Sequence, residues 1–277
     1  MIKEIIDQLT NLGVSKDHQI LLAVSGGVDS MVLMDLLFKN EFKFLIAHCN
    51  FSLRGQESDL DQKFVELTSK SMGVKCFTKL FQTKEYSFKK QISIQMAARE
   101  LRYDWFNKIK NEYNCDFILT AHHTDDSVET VLMNLIKGTG FQGLHGIKPK
   151  QTHLIRPMLN FTKKSILSYA KKNSIAYRED SSNIDNKYIR NKIRNKIIPI
   201  MREINPNVVK SIGDTISCVN DVENIYQNYI SSQKKILIEH SNQEFKIDIK
   251  KLKCEIAPKQ LLYEIISDFG FSDIDAV

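Results

Sequence analysis

Residues 25–30 read Ser-Gly-Gly-Val-Asp-Ser, a combination that is typical of a loop that binds phosphate. Glycines let backbone N–H groups approach an anion closely, and a helix that follows adds the partial positive charge of its first turn. Ser25 and Ser30 add two hydroxyl donors. The segment matches neither Gly-x-x-x-x-Gly-Lys-Ser/Thr nor Gly-x-Gly-x-x-Gly, and no lysine is positioned to contact a terminal phosphate. The alternative is an ordinary Gly-Gly turn before a helix.

A second group of polar residues, 120–130, reads Thr-Ala-His-His-Thr-Asp-Asp-Ser-Val-Glu-Thr and follows an apolar run. If a helix begins near Thr124, Asp126 and Glu129 stand three residues apart and share one face. Paired carboxylates of this kind suit a Mg²⁺ ion that bridges nucleotide phosphates. The alternative is N-terminal capping, since acidic residues favour the first turn of any helix. Together with residues 25–30, the group favours the metal interpretation.

Three weaker signals involve His48 with Asn50, Arg102, and Arg190 with Arg194. The first pair follows another apolar run, where the alternative is an ordinary polar loop. Arg102 lies on a predicted amphipathic helix, where the alternative is a solvated helix face. Arg190 and Arg194 are four residues apart, the spacing that puts two phosphate contacts on one face of a helix.

The elements that must position these residues are alternating strands and helices. Apolar runs of strand type occupy residues 19–24, 42–47, 74–81, 115–121 and 154–159. Helical patterns separate them, so we expect an α/β fold with a doubly wound, Rossmann-like parallel sheet. In such a sheet, ligands bind at the carboxyl ends of the strands. Asn205-Pro206 predicts the start of a long helix, and we expect a catalytic domain over 1–205 and a smaller, mainly helical region over 206–277.

Composition sets the class of protein and points to a partner. The chain has 277 residues, of which 42% are hydrophobic, and a net charge of +6. No apolar run approaches the ~20 residues that a membrane-spanning helix needs, so we expect a soluble cytoplasmic protein with no membrane partner. Residues 161–203 hold eleven Lys and Arg against four Asp and Glu. This local excess predicts a phosphate-rich partner, with a solvated helix face as the alternative.

These motifs together resemble the tRNA(Ile)-lysidine synthetase family of the N-type ATP pyrophosphatase superfamily. The loop at 25–30 resembles the pyrophosphate loop of the superfamily. The ordered set is more specific than the loop, and the resemblance runs from about Gln19 to Pro206. The ordered set of motifs comprises His48-x-Asn50, Leu53-Arg54-Gly55, Thr120-Ala121-His122-His123 with Asp126, Glu129 and Thr130, Gly138-Thr139-Gly140 with Gly143-Leu144, Arg156-Pro157, Glu179-Asp180 with Ser182-Asn183, and Arg190-Asn191-x-x-Arg194.

The resemblance implies a ligase that uses ATP to adenylate the C2 oxygen of the wobble cytidine in an isoleucine tRNA with a CAU anticodon. The ε-amine of free L-lysine then displaces AMP to give lysidine, and Mg²⁺ and a homodimer are implied as well. The implied ATP-binding residues are Ser25, Gly26, Gly27, Val28, Asp29, Ser30, His48 and Asn50. The implied catalytic residues are Asp29, Arg102, Asp126 and Glu129; Asp126 and Glu129 would hold the metal, and Arg190 and Arg194 would contact tRNA.

Two departures from the family pattern bear on these expectations. Many family members carry a second histidine where this chain has Phe51, so any role of that imidazole is absent or relocated. Larger members also continue into a C-terminal domain that grips tRNA, and we expect this sequence to be a fragment.

Two other functions fit parts of the sequence. A tRNA thiolation enzyme of the same superfamily commonly uses Cys-x-x-Cys, and none of the five cysteines forms that pair. A non-catalytic nucleotide-binding or RNA-binding module would leave Asp126 and Glu129 without a role at the ligand edge.

Overall fold

The computed structural model describes residues 1–179, 189–241 and 244–269. The chain forms two compact units, residues 1–214 and 215–277. The expected boundary of the catalytic domain near Asn205 lies inside the first unit and stays a prediction about function. Within the described ranges, no helix is long and apolar enough to cross a membrane.

The first unit is built on a six-stranded sheet in the order β3-β2-β1-β4-β6-β5. The strands are β1 (Ile20–Ala23), β2 (Phe44–Asn50), β3 (Cys76–Leu80), β4 (Phe117–Leu119), β5 (Lys150–Gln151) and β6 (Leu154–Ile155). All neighbours pair in parallel except β5, which runs antiparallel to β6 at one edge. The predicted doubly wound parallel sheet is therefore confirmed. Because β1 lies between β2 and β4, the loops that follow these three strands meet at one edge.

Helices cover both faces of this sheet and continue into the second unit. They are α1 (Ile2–Asn11), α2 (Val28–Lys39), α3 (Gln56–Ser71), α4 (Thr83–Lys90), α5 (Ile94–Glu112), α6 (Thr124–Lys137), α7 (Lys163–Lys172), α8 (Ile189–Lys192), α9 (Ile198–Ile204), α10 (Val208–Leu237), α11 (Ile249–Lys253) and α12 (Pro258–Ser267). A short 3₁₀ helix, Phe141–Leu144, follows α6, and a π-helical segment, Ile193–Ile197, joins α8 to α9.

Apolar side chains on the two sheet faces form separate cores. On one face, residues of β1 and β2 pack with α1, α2 and α7, and Leu33, Leu36 and Ile166 are almost fully buried there. On the other face, Phe106 and Ile109 of α5 pack over Leu21 and Ile118. Burial of this much apolar surface stabilises the sheet and fixes the directions in which the following loops leave it.

Helical structure in the basic segment continues through Pro199 to Ile204, because proline is accommodated in the first turn of α9. The long helix predicted after Asn205 is present as α10 and extends to Leu237.

The second unit has a small core of its own. A two-stranded antiparallel sheet, β7 (Ile238–Ser241) and β8 (Glu244–Ile247), accompanies the end of α10, α11 and α12. Leu237, Leu261 and Ile265 form the centre of this core. Two tyrosine hydroxyls donate to carboxylates within the unit, Tyr226 to Glu264 at 2.9 Å and Tyr229 to Glu255 at 2.6 Å. The remainder expected to be mainly helical therefore also contains a hairpin.

Gly213 of α10 packs so closely on Thr124 that a side chain does not fit between them. A Cβ atom at residue 213 would lie 2.8 Å from Thr124 Cγ2. Thr124 cannot easily rotate away, because its hydroxyl donates to the Leu159 carbonyl at 2.8 Å. We expect Gly213→Ala to lower the free energy of unfolding by about 1–2 kcal/mol, although alanine is the better helix former. Urea unfolding measures this loss. Gly140→Ala is the control, since nothing lies within 4 Å of an added Cβ at residue 140. Equal stability of the two variants would contradict the prediction.

Candidate functional site at the carboxyl edge of the sheet

The loop that follows β1 is shaped to expose backbone donors. Gly26 has φ of +90°, a conformation that favours glycine, and an added Cβ would contact Val65 at 3.5 Å. The Ser30 hydroxyl donates to the Gly27 carbonyl at 2.9 Å, and the Ser25 N–H donates to the Ser30 oxygen at 3.2 Å. The loop ends at Gly27, the N-cap of α2. Its N–H groups and two hydroxyls can therefore surround an anion at the start of a helix.

Asp29 in this loop contacts a lysine from a distant part of the chain. Lys163 Nζ lies 2.7 Å from Asp29 Oδ1 and 2.8 Å from Oδ2. The backbone N–H of Lys163 donates to Asp125 Oδ2 at 2.8 Å, which fixes the start of α7 against α6. The ammonium group is about one-third exposed. The ammonium group of Lys163 therefore lies beside the loop that follows β1.

His123 lies between the carboxylates of this edge. Its Nε2 atom is 3.6 Å from both Asp29 Oδ1 and Asp126 Oδ2, and its Nδ1 atom is 3.6 Å from Asp125 Oδ2. The ring is buried, and Nδ1 has no hydrogen-bond partner. The His123 backbone N–H donates to Asp126 Oδ2 at 3.0 Å, which caps the first turn of α6. Asp29 and Asp126 thus converge from two adjacent strand ends.

Glu129 is a buried carboxylate held by two arginines. Only 1% of its side chain is exposed, and both oxygens accept from guanidinium groups. Arg190 Nε donates to Oε2 at 2.9 Å, while Arg194 donates to Oε1 from Nε at 2.6 Å and to Oε2 from Nη2 at 2.9 Å. Arg194 Nη2 also lies 3.4 Å from Asp126 Oδ1. The two residues predicted to contact tRNA and the two predicted to bind a metal therefore form one cluster.

The surroundings of Asp126 keep its carboxyl ionised at neutral pH. Burial acts to raise the pKa of this carboxyl, but His123, His122 and Arg190 together lower it below its usual value. For Arg194 the balance is similar, because burial lowers its pKa while the hydrogen bond to Glu129 raises it, with a net increase. Asp126 and Arg194 are therefore both charged at neutral pH.

His48 and Asn50, predicted to bind ATP, have protein partners. His48 Nδ1 lies 2.9 Å from the Val24 carbonyl, and burial lowers the pKa of this imidazole. The Asn50 amide donates to Asp59 at 2.9 Å, and its oxygen accepts from the Ser52 N–H at 3.0 Å. Both side chains are buried and brace the edge next to the phosphate loop, so an ATP contact by either remains a prediction.

Arg102 stands apart from the acidic cluster. Its guanidinium carbon lies 5.1 Å from the centre of the Phe51 ring, a cation–π arrangement. Its charge acts on His122, whose pKa falls to about 4, chiefly because of burial; Asp126 raises this pKa, and Arg156, Arg190 and Arg102 each lower it by smaller amounts. His122 is therefore neutral at physiological pH, and its Nδ1 lies 2.9 Å from the Thr120 hydroxyl.

This neutral histidine predicts a pH-dependent stability. Between pH 6.5 and about 4, the unfolded chain binds a proton at residue 122 that the folded chain does not, so stability falls as pH falls through this window. Between pH 7.5 and pH 5, we expect the free energy of unfolding to fall by about 1–2 kcal/mol less in His122→Asn than in wild type. Urea unfolding at the two pH values measures this, and identical losses in both proteins would exclude the effect.

The sequence profile of the PP-loop domain matches residues 1–201. This chain belongs to the PP-loop family. The resemblance to lysidine synthetases is also confirmed. The chain is 42% identical over 256 residues to a tRNA(Ile)-lysidine synthase of Bacteroides thetaiotaomicron, and this match covers 92% of the chain and 59% of the relative. It is 39% identical over 246 residues to the tRNA(Ile)-lysidine synthase of Thermosipho africanus, and this match covers 87% of the chain and 56% of the relative. The chain thus spans a little over half the length of these relatives.

Among solved structures, the PP-loop chain is similar to the U34-tRNA thiolase NcsA from Methanococcus maripaludis with its [4Fe-4S] cluster. The TM-score is 0.62 at 19% identity, and the match covers 78% of each chain. At this identity the similarity supports the shared fold and not a shared reaction.

Sequence reasoning missed two contacts of the PP loop. Lys163 gave no local signal, because the residue it contacts lies 134 positions away. Arg178 was counted only as part of a basic segment, yet its N–H donates to the Gly26 carbonyl at 3.0 Å and its side chain pairs with Asp61. Of the motif at 179–183, residues 180–183 lie outside the described residues.

Proposed function

We propose that this PP-loop protein makes lysidine in an isoleucine tRNA with a CAU anticodon. ATP adenylates O2 of the wobble cytidine with release of pyrophosphate, and the ε-amine of free L-lysine then attacks C2 and displaces AMP. The observation that carries this proposal is the similarity to tRNA(Ile)-lysidine synthases over 92% of the chain. That match includes the PP loop, the acidic cluster and the arginines that hold it.

The PP-loop geometry supports a site for the triphosphate of ATP. The loop N–H groups and the Ser25 and Ser30 hydroxyls would bind the phosphates that leave as pyrophosphate. The Lys163 ammonium group lies beside that position, since it contacts Asp29 at 2.7 Å. We assign it to the β- and γ-phosphates, where a point charge neutralises the leaving group. ATP binding would then separate Lys163 from Asp29.

Asp29 and Asp126 fit a Mg²⁺ ion better than the expected pair of Asp126 and Glu129. Their oxygens converge on one histidine nitrogen, and both side chains are partly exposed. Both Glu129 oxygens are engaged by guanidinium groups. No group of three or more His, Cys, Asp or Glu side chains within the described ranges could hold a metal alone. That suits Mg²⁺, which commonly combines one or two carboxylates with substrate phosphates; when bound, it would offset charge on the transferring phosphate.

The basic segment 161–203 supports a role in binding tRNA. Its net charge of +7 would contact the phosphate backbone and make affinity fall steeply with salt. Arg190 and Arg194 remain more than one-third exposed while Glu129 holds them. We keep both as proposed tRNA contacts, with Glu129 fixing their positions.

The decisive experiment combines the purified chain with ATP, lysine and a tRNA(Ile) transcript carrying a CAU anticodon. We expect AMP formation that depends on both lysine and tRNA, and a lysine-sized mass increase on one cytidine. Asp126→Ala should abolish AMP formation while the fold is retained, whereas Asp104→Asn, an exposed change on α5, should not. Normal turnover by Asp126→Ala would remove that residue from the mechanism, and a transcript left unmodified by the wild type would overturn the function.

tRNA thiolation is the weaker candidate. Burial raises the pKa of the Cys49 thiol to about 12, so this cysteine is a poor nucleophile. The lysidine proposal also includes a homodimer, a cytoplasmic location, and a catalytic domain that ends near residue 205, all of which rest on the resemblance.

A further inference from the structure

Arg102 lies on α5 and contacts Phe51, the residue that directly follows β2. None of the ion pairs among the described residues includes Arg102, in contrast to Arg190 and Arg194 in the acidic cluster. Its contact is the face of the Phe51 ring, at 5.1 Å. An aromatic ring can orient a guanidinium group without using its N–H donors, whereas a carboxylate would occupy them. Arg102 therefore keeps its donors for a ligand.

Phe51 is itself fixed by the protein from two sides. Its ring stacks on Phe81 with centroids 5.6 Å apart and planes 21° apart, and Phe81 is buried edge-on against Trp105. Its carbonyl accepts from the Thr83 hydroxyl at 2.9 Å. A ring anchored in this way presents one constrained face toward Arg102, which limits the positions available to the guanidinium group.

The pair of Phe51 and Arg102 lies next to the strand that precedes the PP loop. Arg102 contacts Phe51, which directly follows β2. Strand β2 pairs with β1, which leads into the PP loop. A cation in this position is suited to phosphate oxygens bound at the same edge.

We propose that Phe51 is a positioning residue that holds the Arg102 guanidinium group by a cation–π contact so that its N–H donors bind substrate phosphate. The phosphate could belong to ATP or to the RNA backbone, since both present the same oxygens. The identity of these ligands rests on the proposed function, but the contact between Phe51 and Arg102 does not.

Binding measurements test this without requiring turnover. We expect Phe51→Leu to raise Kd by about 5- to 20-fold for either a non-hydrolysable ATP analogue or a tRNA transcript, and the affected ligand identifies the phosphate source. Phe51→Tyr and Phe51→Trp should stay within about threefold of wild type, because both retain a ring face. Phe88→Leu removes an exposed ring with 78% of its surface accessible and serves as the matched control.

A double-mutant cycle separates positioning from a structural role. If Phe51 acts through Arg102, Phe51→Leu should have no further effect on Kd in an Arg102→Ala background. An equal loss in both backgrounds, or unchanged affinity for both ligands in folded Phe51→Leu, would overturn the proposal. A wild-type protein that binds ATP and tRNA but forms no lysidine would refute the proposed function and leave this test intact. A wild type that binds neither ligand would refute both.

Discussion

Replacing Lys163 by methionine is expected to weaken ATP and pyrophosphate binding about 30-fold while leaving the affinity for AMP unchanged. The basis is the position of Nζ, 2.7 Å from Asp29 in the PP loop. A charge-assisted hydrogen bond to phosphate contributes about 2 kcal/mol, which corresponds to this loss. AMP lacks the β- and γ-phosphates, so it should not be affected. Isothermal titration with the three ligands measures the pattern directly.

Lys164→Met is the matched control for this prediction. It removes the same charge from the next residue of α7, but its side chain is exposed. We expect its affinity for all three ligands to match that of wild type. If Lys163→Met weakened AMP as strongly as ATP, the lysine would support the fold of the loop and would not bind the leaving phosphates.

Replacing Glu129 by alanine is expected to lower the free energy of unfolding by about 2–3 kcal/mol. The side chain is 1% exposed and accepts three hydrogen bonds from Arg190 and Arg194. Its removal leaves two guanidinium groups close together without their shared partner. Because each arginine is more than one-third exposed, water can solvate part of the charge, so the loss should fall below that of a fully buried pair.

Urea unfolding of Glu129→Ala, Arg190→Met/Arg194→Met and the triple variant tests this coupling. The loss of stability in the triple variant should be much smaller than the summed losses of Glu129→Ala and the double arginine variant, because each of these two removes the same contacts. Glu112→Ala, an exposed change on α5, should be close to wild type. Strictly additive losses would show that the arginines and Glu129 stabilise the protein independently.

The fold and the main motifs could be predicted because their signals are local. The glycines at 26 and 27 sit between an apolar run and a helical pattern, and the structure has β1 and α2 at these positions. Asp126 and Glu129 were expected on one helix face, and α6 begins at Thr124 as that expectation requires. Strand alternation predicted which loops share an edge, since parallel strands end on the same side.

The partners of these motifs could not be predicted in the same way. Lys163 reaches Asp29 because α7 packs on the face of the sheet that carries α2, and no spacing along the chain encodes that. The spacing of Arg190 and Arg194 suggested phosphate, but the same geometry also fits a carboxylate 61 residues away from Arg190. A charge pattern indicates that a charged partner exists, but the tertiary fold determines whether that partner is a ligand phosphate or a carboxylate of the protein.

The π-helical segment Ile193–Ile197 sets the phase of the arginines that follow it. In a regular α-helix, twelve residues from Arg190 to Arg202 would leave the two side chains about 120° apart around the axis. One additional residue in the wider π turn removes about 100° of that difference. Arg202 can therefore reach Asp125 at 3.3 Å while Arg190 reaches Glu129, one turn further along α6. At the present length, a regular α-helix over this segment would rotate Arg202 by about 100° away from the site without altering any contact residue, so the π geometry of this segment matters as much as its sequence.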